Sequence, residues 1–293
     1  NEWRGSCGAA AMRLLLLLLL LLTRAAAAWR GVDATEVRDT WADPWPVTRE
    51  ASSAGSSRCY PAPTQRTRRR SVSAFASAAE VETLRAIARA GMRRVTAATG
   101  PTIMDPDELL VLGPGGKVQR VARDTFDAAG LHVYASVMRR IHAAVAEAHG
   151  VPLDALFHTR PTFIARLRPP SDSSGQGQEN HIHDEYWHVH ADKNNTAHYD
   201  YSALLYLSTH GADFEGGFFE FVDGSDDATA QPTTRFAPVA GDFLTFSSGP
   251  ENPHRVTRVE SGERFAMSTW WTCDPEHKFA SRLANLDTKR DDL

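Results

Sequence analysis

Several absences bound the function before any motif is read. Basic residues are not in excess: 32 Lys and Arg stand against 36 Asp and Glu in 293 residues, for a formal net charge of -4. A chain without surplus cations has little with which to neutralise a phosphate backbone, which argues against nucleic acid as a partner. Apolar runs are short, and the nine leucines Leu14–Leu22 fall well below the roughly 20 apolar residues that span a bilayer. Glycine (20) and proline (16) are near average and no fixed-period repeat is visible, which excludes collagen-like, low-complexity and solenoid chains. Cysteine is sparse, three in all. What remains, 42% apolar and 23% charged, fits one soluble globular domain with flanking segments.

Those flanks are legible. Met12 and Arg13, the leucine run, Thr23, Arg24 and four alanines form a basic start, a short apolar stretch and small residues suited to cleavage. Residues 1–30 are therefore expected to be a signal peptide or, left uncleaved, a signal anchor that would hold the chain to a membrane. Either way the bulk of the chain is expected in the secretory pathway, in the lumen or membrane of the endoplasmic reticulum or secreted. Cys7 precedes Met12, which leaves Cys59 and Cys273 to form one bridge or to stay as two free thiols. Residues 31–75, with their prolines, serines and the run Arg66 to Arg70, show neither helical nor strand period and read as a linker or stem whose arginines are solvated or mark a processing site.

From Ser77 the pattern changes. Ser77 and Glu80 make a capping box, and Val81, Leu84, Ala88, Met92 and Val95 predict a helix that Gly100 and Pro101 stop. Leu131, Tyr134, Met138, Ile141 and Val145 predict a second, stopped by Gly150 and Pro152. This gives a helical support region over 76–159. Beyond it, strands are predicted at 162–167, 201–208, 217–222, 242–246 and 264–271, within a domain over 160–275, with 276–293 as a tail. Helices followed by many short strands predict an α+β fold whose functional part is a sandwich or barrel.

Chemistry concentrates in the histidines. Five of the twelve, His181, His183, His188, His190 and His198, lie within 18 residues. In a strand, residues two apart share a face, so His190 with Asp192, or His183 with Glu185, would aim an imidazole and a carboxylate at one point. His254 in "NPHRV" is the expected third ligand. Two histidines and one carboxylate leave three coordination positions open, the arrangement of non-haem Fe(II) oxygenases, whereas a structural zinc site is closed by four protein ligands. Taken singly, any one of these histidines reads as a surface residue without metal. Arg264, ten residues after His254, either points outward or reaches inward to bind a carboxylate in bidentate fashion.

The ordered set "HVHADK", "YSALLYLSTHGADFEGGFFEF" and "PVAGDFLTFSSGPENPHRVTRVESGERFAMSTWW" resembles the iron- and 2-oxoglutarate-dependent dioxygenases of the prolyl 4-hydroxylase type, over roughly residues 160–275. The resemblance implies a double-stranded β-helix, or jelly roll, with iron on His190, Asp192 and His254. It implies Arg264 on the far carboxylate of 2-oxoglutarate and Trp270 lining that pocket. The implied reaction consumes O2, decarboxylates 2-oxoglutarate to succinate and hydroxylates a C–H bond, with ascorbate as the rescuing reductant and a polypeptide, on a proline or another residue, as substrate. Two features depart from the pattern: the usual tyrosine shortly before the first ligand is not matched cleanly, with Trp187 three residues before His190 and Tyr186 one further away, and Phe218 and Phe219 replace a polar residue after the Gly-Gly hairpin. The insertion "PPSDSSGQGQEN" could cover the site, and Asn194 opens a glycosylation sequon two residues after Asp192. The competing expectation from another class is a non-catalytic jelly-roll binding module, its histidine cluster holding zinc or nothing.

Overall fold

The computed structural model describes residues 36–43, 59–61, 65–97, 99–169, 186–224, 227–281 and 283. The chain falls into two units, Asn1–Glu36 and Val37–Leu293, and every element below belongs to the second. The leucine run, His183, Glu185 and the insertion from residue 170 on lie outside the described residues. No helix among the described residues is long and apolar enough to cross a membrane.

Helix α1 (Ala78–Gly91) begins as its capping box requires. The Glu80 amide donates to Ser77 Oγ, and the Ser77 amide returns a 2.8 Å bond to the Glu80 carboxylate. Its apolar face is Val81, Leu84, Ile87 and Ala88, and it ends at Gly91, earlier than the predicted stop. Helix α2 (Ala128–His149) is capped by Asp127, which accepts from the Gly130 amide at 2.6 Å, and is closed by Gly150 in the left-handed region. The predicted face Leu131, Tyr134, Met138, Ile141 and Val145 is buried. Truncating Ile141, 1% exposed, to alanine would cost about 2–5 kcal/mol.

All ladders between the described strands are antiparallel. In chain order the strands are β1 (Val37–Ala42), β2 (Thr67–Val72), β3 (Pro101–Asp105), β4 (Leu110–Gly113), β5 (Lys117–Arg120), β6 (Phe157–Leu167), β7 (Tyr201–Tyr206), β8 (Phe214–Gly216), β9 (Phe219–Asp223), β10 (Gln231–Phe236), β11 (Phe243–Ser247), β12 (His254–Val256), β13 (Val259–Gly262) and β14 (Arg264–Thr272). A nine-stranded sheet runs β1-β2-β11-β7-β14-β6-β3-β4-β5, and facing it are the small sheets β10-β9-β12 and β13-β8.

The period-2 alternation of the central strands separates two cores. Residues Leu205, Phe243, Phe265 and Met267 face the helices, while Leu204, Tyr206, Leu244, Phe246 and Ala266 face Phe219 and Phe221 of the small sheet. This is an α+β double-stranded β-helix backed by helices. The second core is the interior into which the site residues project.

Three expectations are corrected by this architecture. Part of the 31–75 stretch taken as linker is strand: β2 lies inside the large sheet between β1 and β11, and β1 carries Asp39, which pairs with Arg70 at 2.8 Å. Hydrophobic periodicity missed it because a run of arginines masks the alternation of buried Thr67 and Arg69 with half-exposed neighbours. The 76–159 region is not purely helical, since it supplies β3, β4 and β5. The supposed tail from 276 packs in part, for the Phe279 amide donates to the His158 carbonyl and Leu283 is buried in the helix-side core. Cys59 and Cys273, left open as bridge or thiols, are disulfide-bonded, with Cα atoms 5.9 Å apart.

Candidate metal centre

His190 and His254 come together through the backbone. Each residue's amide donates to the other's carbonyl, at 3.0 and 2.9 Å, in an isolated antiparallel bridge. Asp192 follows at the first position of a one-turn helix, α3 (Asp192–Asn195), tied down by the Lys193 amide donating to Ser248 at 2.8 Å. The strand argument for the His-x-Asp spacing is thus replaced by a bridge followed by a turn, and the two side chains converge nonetheless.

The nearest His190 Nε2 and Asp192 oxygen lie 3.7 Å apart, and the nearest His254 Nε2 and Asp192 oxygen 3.8 Å apart. Those gaps are too wide for a direct hydrogen bond, yet one ion can bridge them with bonds of about 2.1 Å. One donor atom from each of the three lies within 4.8 Å of the others. Both imidazoles present the lone pair a metal needs. His190 Nδ1 donates to the His188 carbonyl and His254 Nδ1 to the Asn252 carbonyl, each at 2.9 Å, which leaves Nε2 unprotonated in the neutral ring. Burial, and then the neighbouring His190, push the His254 imidazole below the usual histidine range. Its ring stacks on Phe219 at 5.1 Å, which gives the aromatic that follows the Gly-Gly hairpin a packing role. Asp192 is oriented by a 2.6 Å bond from Ser202 Oγ.

Arg264 points inward. It is 2% exposed, its Nε donates to the Gly217 carbonyl at 2.9 Å, and its Nη2 has no partner. The hairpin glycine is what admits it: a Cβ on Gly217, whose φ is +59°, would sit 2.9 Å from Arg264 Cδ and from the Phe214 ring. Tyr206, on the same interior face, also has an unpartnered buried hydroxyl. Two orphaned donors in one apolar interior are the feature expected of a pocket for an anion with several oxygens. Trp270 is half-buried, stacks on Tyr199 at 5.1 Å and meets Phe163 edge-on, with its Nε1 unpartnered. Among the described residues no fourth protein donor joins the three, so the closed set of a structural zinc site is not formed there. A second cluster, Cys59, Asp200 and Cys273, is the disulfide beside a carboxylate.

Residues 171–272 match the 2OG-Fe(II) oxygenase superfamily. The chain carries a 2OG-Fe(II) oxygenase domain. The 2-oxoglutarate and iron-dependent oxygenase domain-containing protein 3 of Rattus norvegicus is 34% identical over 208 residues, which are 68% of this chain and 61% of that protein. Prolyl 3-hydroxylase 1 of Gallus gallus is 46% identical over 84 residues, 29% of this chain and 11% of that one. The Trichoplax adhaerens prolyl hydroxylase solved with a hypoxia inducible factor peptide aligns with a TM-score of 0.46 at 15% identity, over 71% of this chain and 85% of that one. The chain spans about three fifths of the length of the curated relatives it matches along most of its own length.

Several residues of the oxygenase domain and its surroundings escape a motif search. Ser202 and Tyr206 share the parity of Leu204 in "YSALLYLS", so strand alternation alone could have placed all three inside. Arg69, Glu251 and Asn252 are buried around His254, with Arg69 Nε donating to Asn252 Oδ1 at 2.6 Å, and no spacing rule announces that contact across 183 residues. Asn194 is exposed, so the sequon faces away from the buried Asp192.

Proposed function

We propose that the chain is an Fe(II)- and 2-oxoglutarate-dependent dioxygenase that hydroxylates a residue, proline among the candidates, of a secretory-pathway polypeptide. One observation carries the reading: two imidazoles and a carboxylate converge in a domain that also buries the Arg264 guanidinium, which no acid among the described residues neutralises. His190, Asp192 and His254 would hold the ferrous ion. With the ion and 2-oxoglutarate bound, the centre would couple decarboxylation of the co-substrate, at the expense of O2, to hydroxylation of a C–H bond.

The chain's own residues do the rest. Ser202 fixes the carboxylate, the His188 and Asn252 carbonyls fix the ring tautomers, and Arg264 with the Tyr206 hydroxyl would receive the far carboxylate of 2-oxoglutarate. The apolar faces of β7, β9 and β11 exclude water from the interior, and Trp270 is assigned to the co-substrate pocket on the resemblance. Ascorbate is assigned as the reductant that restores oxidised iron.

The polypeptide substrate rests on the resemblance to prolyl hydroxylases, supported by the 46% identity to Prolyl 3-hydroxylase 1 over 84 residues. The Cys59–Cys273 bridge supports an oxidising compartment, and the leucine run is assigned as its targeting or anchoring signal. Incubation of the full chain with Fe(II), 2-oxoglutarate, ascorbate and libraries of secreted peptides tests the reading. Intact mass should show a gain of one oxygen on a subset of peptides, with matching succinate. Succinate at the no-enzyme blank for every library counts against it.

A further inference from the structure

The disulfide reaches the metal centre through a chain of contacts that begins at its half-buried neighbour, Tyr60. Only three residues of that arm, 59–61, are described, and the bridge to Cys273 fixes them against the domain. The Tyr201 hydroxyl donates to the Cys59 carbonyl, which holds the arm on β7. The Tyr60 hydroxyl then lies 2.9 and 2.8 Å from the two carboxylate oxygens of Glu251, to which it donates. Glu251, 6% exposed, also accepts from Ser247 Oγ. Asn252 donates through Nδ2 to the Ser247 carbonyl at 2.8 Å and to Ser247 Oγ at 2.9 Å, and its own carbonyl accepts from His254 Nδ1.

A second branch leads to Asp192. The Lys193 ammonium sits 4.4 Å from the centre of the Tyr60 ring and 3.1 Å from Asp200 Oδ1, while Asp200 Oδ2 accepts from the Cys273 amide at 2.8 Å. Lys193 and Asp200 are both buried, and Lys193 is the residue next to Asp192.

The close approach is built in. A Cβ on Gly249 would lie 1.5 Å from the Tyr60 hydroxyl oxygen, so the loop that carries Glu251 and Asn252 has its small residue where the tyrosine enters. None of this touches the reacting centre directly. It underlies the loop that presents His254 and the turn that presents Asp192.

We propose that Tyr60 is a positioning residue for the His190–Asp192–His254 centre, and that the Cys59–Cys273 bridge, by holding it there, makes metal affinity depend on the redox state of that bridge. The inference rests on the reading of those three residues as metal ligands. Both cysteines line a cavity of about 960 Å³, and although Cys273 is buried Cys59 is half-buried, which gives a small dithiol its approach. A dithiol reductant that opens it delivers two electrons and two protons to give two thiols and leaves as its own disulfide. The 59–61 arm then loses its covalent tie, and Glu251 and Lys193 lose the partner they share.

Anaerobic titration with Co(II), followed by its visible absorption, tests this on the full chain in four forms: wild type and Tyr60→Phe, each oxidised and dithiol-reduced. Tyr60→Phe removes one oxygen and keeps the ring, so it reports on the hydroxyl even where a Cys59→Ser/Cys273→Ser chain fails to fold. The expected result is a dissociation constant raised about tenfold by Tyr60→Phe, the low end of what loss of an outer partner costs a metal site, and raised at least as much by reduction. Reduction should add little to Tyr60→Phe. Glu251→Gln should raise it too, with a non-additive effect when combined with Tyr60→Phe, a coupling that general loosening of the fold does not produce. Equal Co(II) affinities in all four forms overturn the inference while the metal reading stands. No Co(II) binding by oxidised wild type overturns both.

Discussion

Arg264→Met separates a residue kept for a ligand from one kept for the fold. In the free protein the guanidinium is 2% exposed, makes one bond to the Gly217 carbonyl, leaves Nη2 orphaned and has no acidic partner among the described residues. Burial pulls its pKa below the usual arginine value, a sign of the cost of holding the charge there. Methionine fills similar volume without the charge, and replacing buried charges by apolar side chains is neutral or stabilising by about 1–4 kcal/mol. Leaving the Gly217 carbonyl without its donor takes back about 1 kcal/mol. The melting temperature of ligand-free Arg264→Met should therefore match or exceed wild type by a few degrees, at about 2–4 °C per kcal/mol for a chain of this size.

The co-substrate should respond in the opposite direction. Two charge-assisted bonds at about 1.5–3 kcal/mol each imply that 2-oxoglutarate binding weakens by at least two orders of magnitude. Thermal melts of metal-loaded protein with and without 2-oxoglutarate read both effects. At a hundred times the wild-type dissociation constant the ligand should stabilise wild type by about 2.7 kcal/mol and the variant by no more than about 0.4 kcal/mol. A variant that melts well below wild type and still shifts fully with 2-oxoglutarate would refute the reasoning and make Arg264 a structural residue.

Other perturbations follow from the same contacts. Ser202→Ala removes the 2.6 Å bond to Asp192 and should weaken metal binding about tenfold in an anaerobic titration, with unchanged affinity as the contrary result. The Cys59–Cys273 bridge closes a span of 214 residues, for which chain entropy implies about 5 kcal/mol, so reduced protein should melt roughly 10 °C or more below oxidised protein. His149 and His158 are held down to about 3 and about 4, mainly by burial. Folded pKa values below the unfolded value of about 6.5 mean that unfolding takes up protons. The stability these histidines contribute is present above pH 6.5 and is lost as pH falls toward 4, by about 1–2 kcal/mol each at pH 5 for groups that keep some contact with water. Denaturant melts between pH 7 and 4.5 should show that decline, and His149→Gln should flatten part of it.

How much was legible in the sequence depended on whether a residue announced itself locally. Helix α1 was readable because Ser77 and Glu80 satisfy each other three residues apart, and α2 because its face recurs at three and four residues. His190, Asp192 and His254 were readable as residue types at a chelating spacing, although Asp192 proved to head a turn and not to sit in a strand. Arg264 could be named without its direction, which depends on a strand boundary and on the room that Gly217 provides. What stayed hidden was long-range. β2 is specified by pairing with β11 rather than by its own pattern of arginines, and Tyr60, Arg69 and Glu251 acquire roles only when chain segments some 180–190 residues apart are brought together. Small edge strands such as β4 and β5 carry too few residues to show alternation.

The central claim is that His190, Asp192 and His254 form one ferrous centre that consumes 2-oxoglutarate. Succinate release by purified chain under air, with Fe(II), 2-oxoglutarate, ascorbate and the secreted peptide libraries, measured beside Asp192→Ala at equal protein, tests it most directly. The account predicts succinate from the wild type that requires both Fe(II) and 2-oxoglutarate, and none above the no-enzyme blank from Asp192→Ala. Equal release by the two proteins, or release by neither at full metal loading, would contradict it.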